Sequence, residues 1–272
     1  MGHAELRNIE PFEVFALHYA QHQGRSAADN FLGGDPHEAG NDLAYYIWVI
    51  RRSDRLFLVD CGFGPEAAAA RGRHLLHRPR DLLAPLGIDP KAVTDLLLTH
   101  IHYDHAGTLD DFPNATFHLQ EAEMSFATGR CMCDLDQRKS YDIEDVVRLL
   151  RLVYRGKVVF HEGDVDLCAG LSLHRIEGHT AGLMAVRVWT ARGWIVLASD
   201  AAHLYDNLLQ NRPFSIVQNP ERQLAGYRRL YELGGSKAAI LPGHDPLVLA
   251  QYPPLGAQKQ ILALHQKPLF LP

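Results

Sequence analysis

The 272-residue sequence is poor in cysteine, in positive charge and in long apolar runs, and each shortage excludes a class of protein. Only four cysteines are present and none forms a C-x-x-C pair, which argues against a disulfide scaffold and predicts free thiols in a reducing cytoplasm. The net charge of −5 argues against nucleic acid as a partner, because nucleic-acid binding relies on Lys and Arg to neutralise phosphates. No apolar run approaches the roughly 18 residues that span a bilayer. Residues 1–5 lack the basic and apolar parts of a secretory signal. We therefore expect a cytoplasmic protein with no membrane attachment.

Histidine, in contrast, is abundant, with 16 residues. The remaining composition, with 47% hydrophobic and 22% charged residues, is that of an ordinary globular protein. Histidine is the commonest metal ligand and a general acid–base group, although surplus histidine also occurs on plain surfaces. The spacing of the histidines must therefore decide between these interpretations.

The hydrophobic pattern predicts a single domain over residues 1–272, with sheet-rich layers flanked by helices. Strands are predicted at 43–51, 55–60, 95–99, 157–161, 171–176, 184–190, 194–199 and 238–241. Helices are predicted at 142–155 and 221–233, the first with an apolar face formed by Ile143, Val146, Val147 and Leu150. Segments 21–42 and 125–141 are polar and irregular, and long loops of this kind are either plain surface or lids over a site.

One predicted strand, 95–99, leads directly into a cluster of metal-ligand residue types. His100, His102, Asp104 and His105 follow it in the pattern H-x-H-x-D-H. Alternation along an extended strand places His100 and His102 on one side, and the turn that follows can bring Asp104 and His105 to a neighbouring point. This arrangement suits two adjacent metal ions, and imidazole and carboxylate are the ligands of catalytic zinc.

Three later residues share a position at the end of a strand-like run beside small residues: His179, Asp200 and His244. Any one of them alone is more often structural or solvent-exposed. Four ligand-type residues within six positions are much harder to obtain by chance, and the three later ones complete the set. Five histidines and two aspartates are the complement expected for two zinc ions that share a bridging carboxylate.

This set, together with Asp60-Cys61-Gly62, resembles the metallo-β-lactamase superfamily over about residues 40–250. The resemblance implies an α/β fold, the four-layer αβ/βα sandwich of that superfamily, with two Zn²⁺ or other divalent ions at the edge of two sheets. It assigns His100, His102 and His179 to the first metal, Asp104, His105 and His244 to the second, and Asp200 to both. Asp60 would orient a ligand imidazole from behind.

Within that superfamily, segments 199–207, 212–214 and 241–246 resemble the N-acyl-homoserine lactone lactonase branch. The best-known members carry a tyrosine three residues after the bridging aspartate; here that position is His203, and Tyr205 lies two residues further on. The resemblance implies that a metal-bridging hydroxide opens a lactone ring, with N-acyl-homoserine lactones as substrates and quorum quenching as the role. Asp104 would pass a proton to the leaving alkoxide, and either His203 or Tyr205 would contact the substrate carbonyl.

Two other activities remain open at this point. A glyoxalase-II-like thioesterase or another ester hydrolase could use the same site, and an iron-dependent oxidoreductase is a less favoured reading. In each case the expected partner is a small molecule, which for the lactonase and the ester hydrolase is a lactone or an ester. The sequence leaves the oligomeric state undecided, with a homodimer among the options.

Overall fold

The computed structural model describes residues 9–271, so residues 1–5, on which the argument about a secretory signal depends, lie outside it. Its strands are β1 Glu13–His22, β2 Leu43–Arg52, β3 Arg55–Val59, β4 His74–Leu75, β5 Asp95–Leu97, β6 Thr116–Gln120, β7 Val158–His161, β8 Val165–Cys168, β9 Leu171–Arg175, β10 Met184–Thr190, β11 Gly193–Ser199, β12 Ile240–Pro242, β13 Pro254–Leu255 and β14 Gln258–Ala263.

The α-helices are α1 Ala27–Asn30, α2 Pro65–Ala70, α3 Tyr103–Ala106, α4 Glu121–Ala127, α5 Leu135–Arg138, α6 Ile143–Tyr154, α7 Tyr205–Leu209, α8 Pro220–Gly234 and α9 Leu247–Gln251. Short 3₁₀ helices occupy Pro79–Leu86, Pro90–Ala92, Leu109–Asp111, Arg130–Cys133 and Lys237–Ala239. Among the described residues, no helix combines the length and the hydropathy that a membrane crossing requires.

The strands form two mixed sheets. The first has the order β13-β14-β1-β2-β3-β5-β6-β7 with β4 beside β1, and the second has the order β12-β11-β10-β9-β8. Strands β3, β5, β6 and β7 are parallel to one another, as are β11 and β12, whereas the other pairs are antiparallel. Parallel strands place their carboxyl ends at one edge, which is where such sheets commonly bind ligands.

Alternating side chains build a layered core. In β10, Met184, Val186 and Val188 pack between the two sheets, while Ala185 faces the other way, toward Tyr227 and Leu230 of α8. On the far side, the first sheet packs against α4 and α6. Both faces of each sheet are therefore covered, which confirms the predicted α/β sandwich of helix, sheet, sheet and helix.

The structure modifies several sequence-based predictions. Segments 21–42 and 125–141 contain short helices, α1 in the first and α5 with parts of its neighbours in the second, so they are not wholly irregular. The 142–155 helix is present as α6, with Asp142 capping its first turn. Its predicted apolar face was wrong in part, because Ile143 is 70% exposed and Leu150 40% exposed. The buried face is formed by Asp145, Val146 and Leu149.

Candidate metal centre

All seven predicted ligands lie at one edge of the sandwich, where strands of both sheets end. His100 and His102 follow β5, and Asp104 and His105 lie in the single turn of α3. The other three come from the second sheet: His179 lies between β9 and β10, Asp200 directly follows β11, and His244 follows β12. The centre therefore straddles the two sheets rather than belonging to either one.

The first group of ligand atoms consists of His100, His102, His179 and Asp200, whose donor atoms all lie within 4.8 Å of one another. His102 Nδ1 is 3.0 Å from His179 Nε2. Asp200 Oδ2 is 3.2 Å from His179 Nε2 and 3.7 Å from His100 Nε2. One carboxylate oxygen and three imidazole nitrogens thus face a common point, as a four-coordinate zinc site requires.

The second group consists of Asp104, His105 and His244, again with donor atoms within 4.8 Å of one another. The other oxygen of Asp200 completes it, because Oδ1 lies 3.3 Å from His105 Nε2 and 2.9 Å from His244 Nε2. The two oxygens of Asp200 therefore face different groups. Asp200 is therefore placed so that one carboxylate could contribute to both groups.

The hydrogen bonds of these histidines fit metal ligation. Three of them have Nδ1 close to an oxygen atom. The Nδ1 of His105 is 2.7 Å from an Asp60 oxygen, that of His179 is 2.8 Å from a backbone oxygen, and that of His244 is 3.1 Å from another backbone oxygen. An imidazole whose Nδ1–H donates to oxygen presents a lone pair at Nε2, and such partners are typical behind metal ligands. Within residues 9–271, the buried Nε2 atoms of His100, His105 and His244 make no hydrogen bond, although those of His105 and His244 lie close to Asp200 Oδ1. Buried polar atoms rarely stay unpaired, so the donor set fits divalent cations.

The protonation of the first group also suits a metal. Burial holds the pKa of His100 and of His102 well below the ordinary value for histidine. Both imidazoles are therefore neutral near pH 7, which is the form that binds a metal ion.

A buried polar chain joins the two sheets behind the centre. Asp60 accepts hydrogen bonds at 2.8 Å from both the backbone N–H and the hydroxyl of Thr99, and the Thr99 and Ser199 hydroxyl oxygens are 2.8 Å apart. Asp60 and Ser199 also adopt left-handed backbone conformations, with φ of 58° and 47°. Such strain costs about 1–3 kcal/mol per residue and clusters at functional sites. Asp60 thus orients His105 and connects the ends of β3, β5 and β11.

Glu123 of α4 is a second buried carboxylate behind the centre, and the sequence interpretation missed it. Its Oε1 accepts from the Ile101 N–H and the Tyr141 hydroxyl, at 3.2 and 3.1 Å. Its Oε2 accepts from the Thr180 hydroxyl and the Gly182 N–H, at 2.6 and 2.9 Å. Ile101 lies between His100 and His102, and Thr180 follows His179, so Glu123 clamps the two loops that carry the first group. A sequence signal was present: a glutamate on a helix face shared with buried Phe126 and Ala127.

A glycine allows the last ligand to approach. A Cβ on Gly243 would lie 2.7 Å from the backbone of Ser199 and 3.0 Å from Asp200 Oδ1. Only glycine permits this contact, so Gly243 lets His244 reach Asp200.

A cleft of about 350 Å³ opens over the centre, within the range of small-molecule sites. Asp104 is the most exposed of the seven predicted ligands, at 9%. His203 also lines the cleft; its Nε2 is 2.9 Å from Asp200 Oδ2 and its ring stacks on Phe214 at 3.6 Å. Both candidate lid segments contribute, through Arg25 in the first and Lys139 and Ser140 in the second.

Tyr205, the alternative to His203, is not brought to the cleft. Its backbone N–H donates to the Asp245 carboxylate at 2.7 Å as α7 begins. Its side chain is buried in the core between the two sheets, in the same cluster as Tyr252. The start of the helix turns the chain between positions 203 and 205, so the two side chains point to different environments.

Comparisons with a family pattern and with known proteins agree with each other. The Metallo-beta-lactamase superfamily pattern matches residues 40–259. A probable metallo-hydrolase of Mycobacterium tuberculosis is 28% identical over 239 residues, covering 77% of this chain and 74% of that protein. An N-acyl homoserine lactonase of Bacillus cereus is 26% identical over 241 residues, covering 82% of this chain and 90% of the lactonase.

Solved structures show the same fold. A quorum-quenching N-acyl homoserine lactone lactonase superposes with a TM-score of 0.74 at 21% identity, covering 88% of this chain and 94% of that one. A dizinc quorum-quenching lactonase in complex with a hexanoyl-homoserine product superposes with a TM-score of 0.66 at 19% identity, covering 88% and 90%.

Proposed function

The chain belongs to the metallo-beta-lactamase superfamily, and from this premise we propose that it is a metal-dependent hydrolase that opens lactone rings, with N-acyl-homoserine lactones as substrates. The observation that carries the proposal is the orientation of Asp200, whose two oxygens face two separate groups of ligand atoms. The names of the relatives support the choice of substrate, since a protein similar over 90% of its length is an N-acyl homoserine lactonase.

Two divalent ions, zinc by the nature of the ligands, would supply Lewis acidity to an ester carbonyl and lower the pKa of a water nucleophile toward neutrality. His100, His102 and His179 would hold one ion, Asp104, His105 and His244 the other, and Asp200 both. Asp60 holds the imidazole of His105 from behind, and Glu123 holds the loops that carry the first group. Their contribution is to fix the geometry before the substrate binds.

Two residues of the cleft would act on the substrate directly. Asp104 is the ligand with the most exposed side chain, so its carboxylate can take up a proton and deliver it to the departing alkoxide. His203 lies beside Asp200 in the cleft, where a ring N–H can donate to the substrate carbonyl. Donation to the oxygen on which negative charge develops is a large term in acyl transfer. The chain needs no serine or cysteine nucleophile for this route.

The test combines metal analysis with a substrate panel. The purified protein is assayed for bound zinc and iron, and then for turnover of N-hexanoyl-homoserine lactone, a simple γ-lactone and a glutathione thioester. We expect close to two zinc ions per chain and ring opening of the acyl-homoserine lactone, followed as proton release. Zinc-loaded protein that hydrolyses the thioester and no lactone would make it a thioesterase. Bound iron with oxygen consumption would make it an oxidoreductase.

Variants connect the activity to the site. His102→Ala and Asp200→Asn should lose metal and turnover together. His37→Ala is the matched control, because His37 is an exposed histidine outside the cleft. Full activity in Asp200→Asn would contradict the proposed site.

A further inference from the structure

Three arginines line the same cleft as the proposed ligands. Arg25 precedes α1, Arg71 ends α2, and Arg73 precedes β4. All three are half-buried rather than solvent-exposed. Arg71 has a structural role, because its guanidinium donates to the backbone oxygens of Lys139 and Tyr141 and so ties down the end of the 125–141 segment. Arg25 and Arg73 are different.

Neither Arg25 nor Arg73 forms a close ion pair in the described residues, although the charges of Asp29 and Asp104 act on them from a greater distance. Within residues 9–271, no carboxylate oxygen of an Asp or Glu side chain lies within 4.0 Å of a nitrogen of either guanidinium. Arg25 instead donates to the Asn30 side chain and the Asp29 backbone oxygen. Arg73 donates to the Tyr103 hydroxyl and the Arg71 backbone oxygen. Two partly desolvated cations beside a substrate cleft are costly, and such charge is characteristic of functional sites.

The histidine between the two arginines cannot satisfy both. His22 Nδ1 is 2.9 Å from Arg25 Nη1, and His22 Nε2 is 3.2 Å from Arg73 Nη1. A neutral imidazole has one acceptor nitrogen, so it accepts from one guanidinium and presents an N–H to the other. Burial and the two arginines lower the pKa of His22 to about 4, so it carries no charge that would change this count near neutral pH. The cluster therefore has more donors than acceptors.

The two arginines also have donors to spare. A guanidinium has five N–H donors, and three contacts are accounted for at each side chain. Arg25 is close to the reaction centre, since its guanidinium lies 5.5 Å from the centre of the Phe214 ring and that ring stacks directly on His203. An anion held here would be part of the same ligand that His203 contacts.

We propose that the cleft takes an ester or lactone that carries a second functional group, a carboxylate, and that Arg25 and Arg73 bind this carboxylate. The two oxygens of a carboxylate match the fork of a guanidinium, and such bonds are about twice as strong as neutral ones. This inference rests on the proposed function, since it takes the ester to be the reacting group. It deepens that function because it specifies a substrate whose acyl part carries a negative charge. A plain alkyl chain would leave the two arginines without an anionic partner.

The first experiment compares two substrates that differ only at the end of the acyl chain. Homoserine lactone acylated with hexanoic acid ends in a methyl group, and homoserine lactone acylated through one end of adipic acid ends in a carboxylate at the same chain length. We expect kcat/KM to favour the adipoyl compound at least about tenfold, and Arg25→Gln and Arg73→Gln each to reduce this ratio by about tenfold, as loss of a charge-assisted hydrogen bond implies. Arg25→Lys keeps the charge without the fork and should retain part of the ratio.

Arg155→Gln is the matched control, because it removes one positive charge from an exposed position at the end of α6 and should leave the ratio unchanged. A hexanoyl compound hydrolysed as well as the adipoyl compound by the wild-type protein would overturn the inference and leave the lactonase proposal standing. A preference that persists in both Arg→Gln variants would overturn it as well.

The second experiment needs no turnover. Adipate and hexanoate each bring one carboxylate to the metal-loaded centre, and only adipate brings a second. Calorimetric titration of the wild-type protein should show tighter binding of adipate by about tenfold, and this difference should disappear in Arg25→Gln. If that result is found while no lactone or ester is hydrolysed, the carboxylate site stands and the proposed function fails. Equal binding of the two acids would overturn the carboxylate site.

Discussion

Glu123→Gln tests whether the buried carboxylate of α4 sets the geometry of the first ligand group. The substitution keeps the size and one oxygen of the side chain but replaces the other oxygen with an NH₂ group. Each oxygen of Glu123 now accepts one hydroxyl and one backbone N–H. A hydroxyl can rotate and accept from the new NH₂ group, whereas a backbone N–H cannot. One backbone donor, at Ile101 or at Gly182, must therefore lose its partner.

The size of the effect follows from this count. A buried donor without a partner costs about 1–3 kcal/mol, so we expect the free energy of unfolding of the metal-free protein to fall by about 2 kcal/mol. Residues that orient ligands from behind typically change metal affinity by about 10–100-fold. Because the contacts of Glu123 reach the loops of His100, His102 and His179, the loss should concentrate on one of the two ions.

The assay is a competition titration of zinc against a chromophoric chelator, with cobalt substitution to count the ions by absorption. We expect one ion to bind about 10–100-fold more weakly in Glu123→Gln while the other keeps its affinity within a few-fold. Glu121→Gln is the control, because it removes the same charge from an exposed position two residues earlier on α4. Equal weakening of both ions, or no weakening in a destabilised protein, would show that Glu123 stabilises the fold without positioning the ligands.

Four further predictions concern the surroundings of the centre. Asp60→Asn should lower the zinc affinity of the second group by about 10–100-fold in the same titration, because Asp60 holds His105 of that group. A selective loss of affinity at the first group would contradict the assignment. Gly243→Ala should lower zinc content, since the added Cβ meets the Ser199 backbone; unchanged zinc by elemental analysis would refute the argument. Chelation of the metals should lower the melting temperature by several degrees in a thermal scan, because ions that bind only the folded state stabilise it, and an unchanged value would argue against bound metal. Burial and the neighbouring Asp142 raise the pKa of Asp145 to about 7, so the folded state favours the protonated form and stability is lost as the pH rises from about 4 to 7. Asp145→Asn should therefore gain about 2 kcal/mol relative to wild type between pH 5 and pH 8 in urea unfolding, and a pH-independent difference would refute this.

The seven candidate ligands that the structure brings together could be named from the sequence because their signals are local. Segment 100–105 contains four ligand-type residues directly after a strand, and His179, Asp200 and His244 each follow a strand beside small residues. Glu123 and the arginines were missed because their meaning depends on distant partners, as in the pairing of Glu123 with Thr180. Strand β1 was missed for another reason: it is buried on both faces over most of its length, so apolar residues do not alternate with polar ones.

The choice between His203 and Tyr205 also needed the structure. Two positions apart on a strand, both side chains would point the same way. The first turn of α7 separates them and sends Tyr205 into the core. Only the position of the helix start decides this, and helix boundaries are poorly determined by local pattern.

The hydroxyl contact between Thr99 and Ser199 has a consequence for when the candidate metal centre can form during folding. The two residues are 100 positions apart in the chain: Thr99 follows β5 of the first sheet, and Ser199 ends β11 of the second. Closing so long a loop carries a large entropic cost that only the docked sheets repay, and contacts of this range form slowly. A chain that has folded only its first sheet holds His100, His102, Asp104 and His105, and lacks His179, Asp200 and His244. Binding of metal by all seven candidate ligands would therefore require the two sheets to be docked, so the proposed ions would stabilise the finished sandwich and not its first sheet alone.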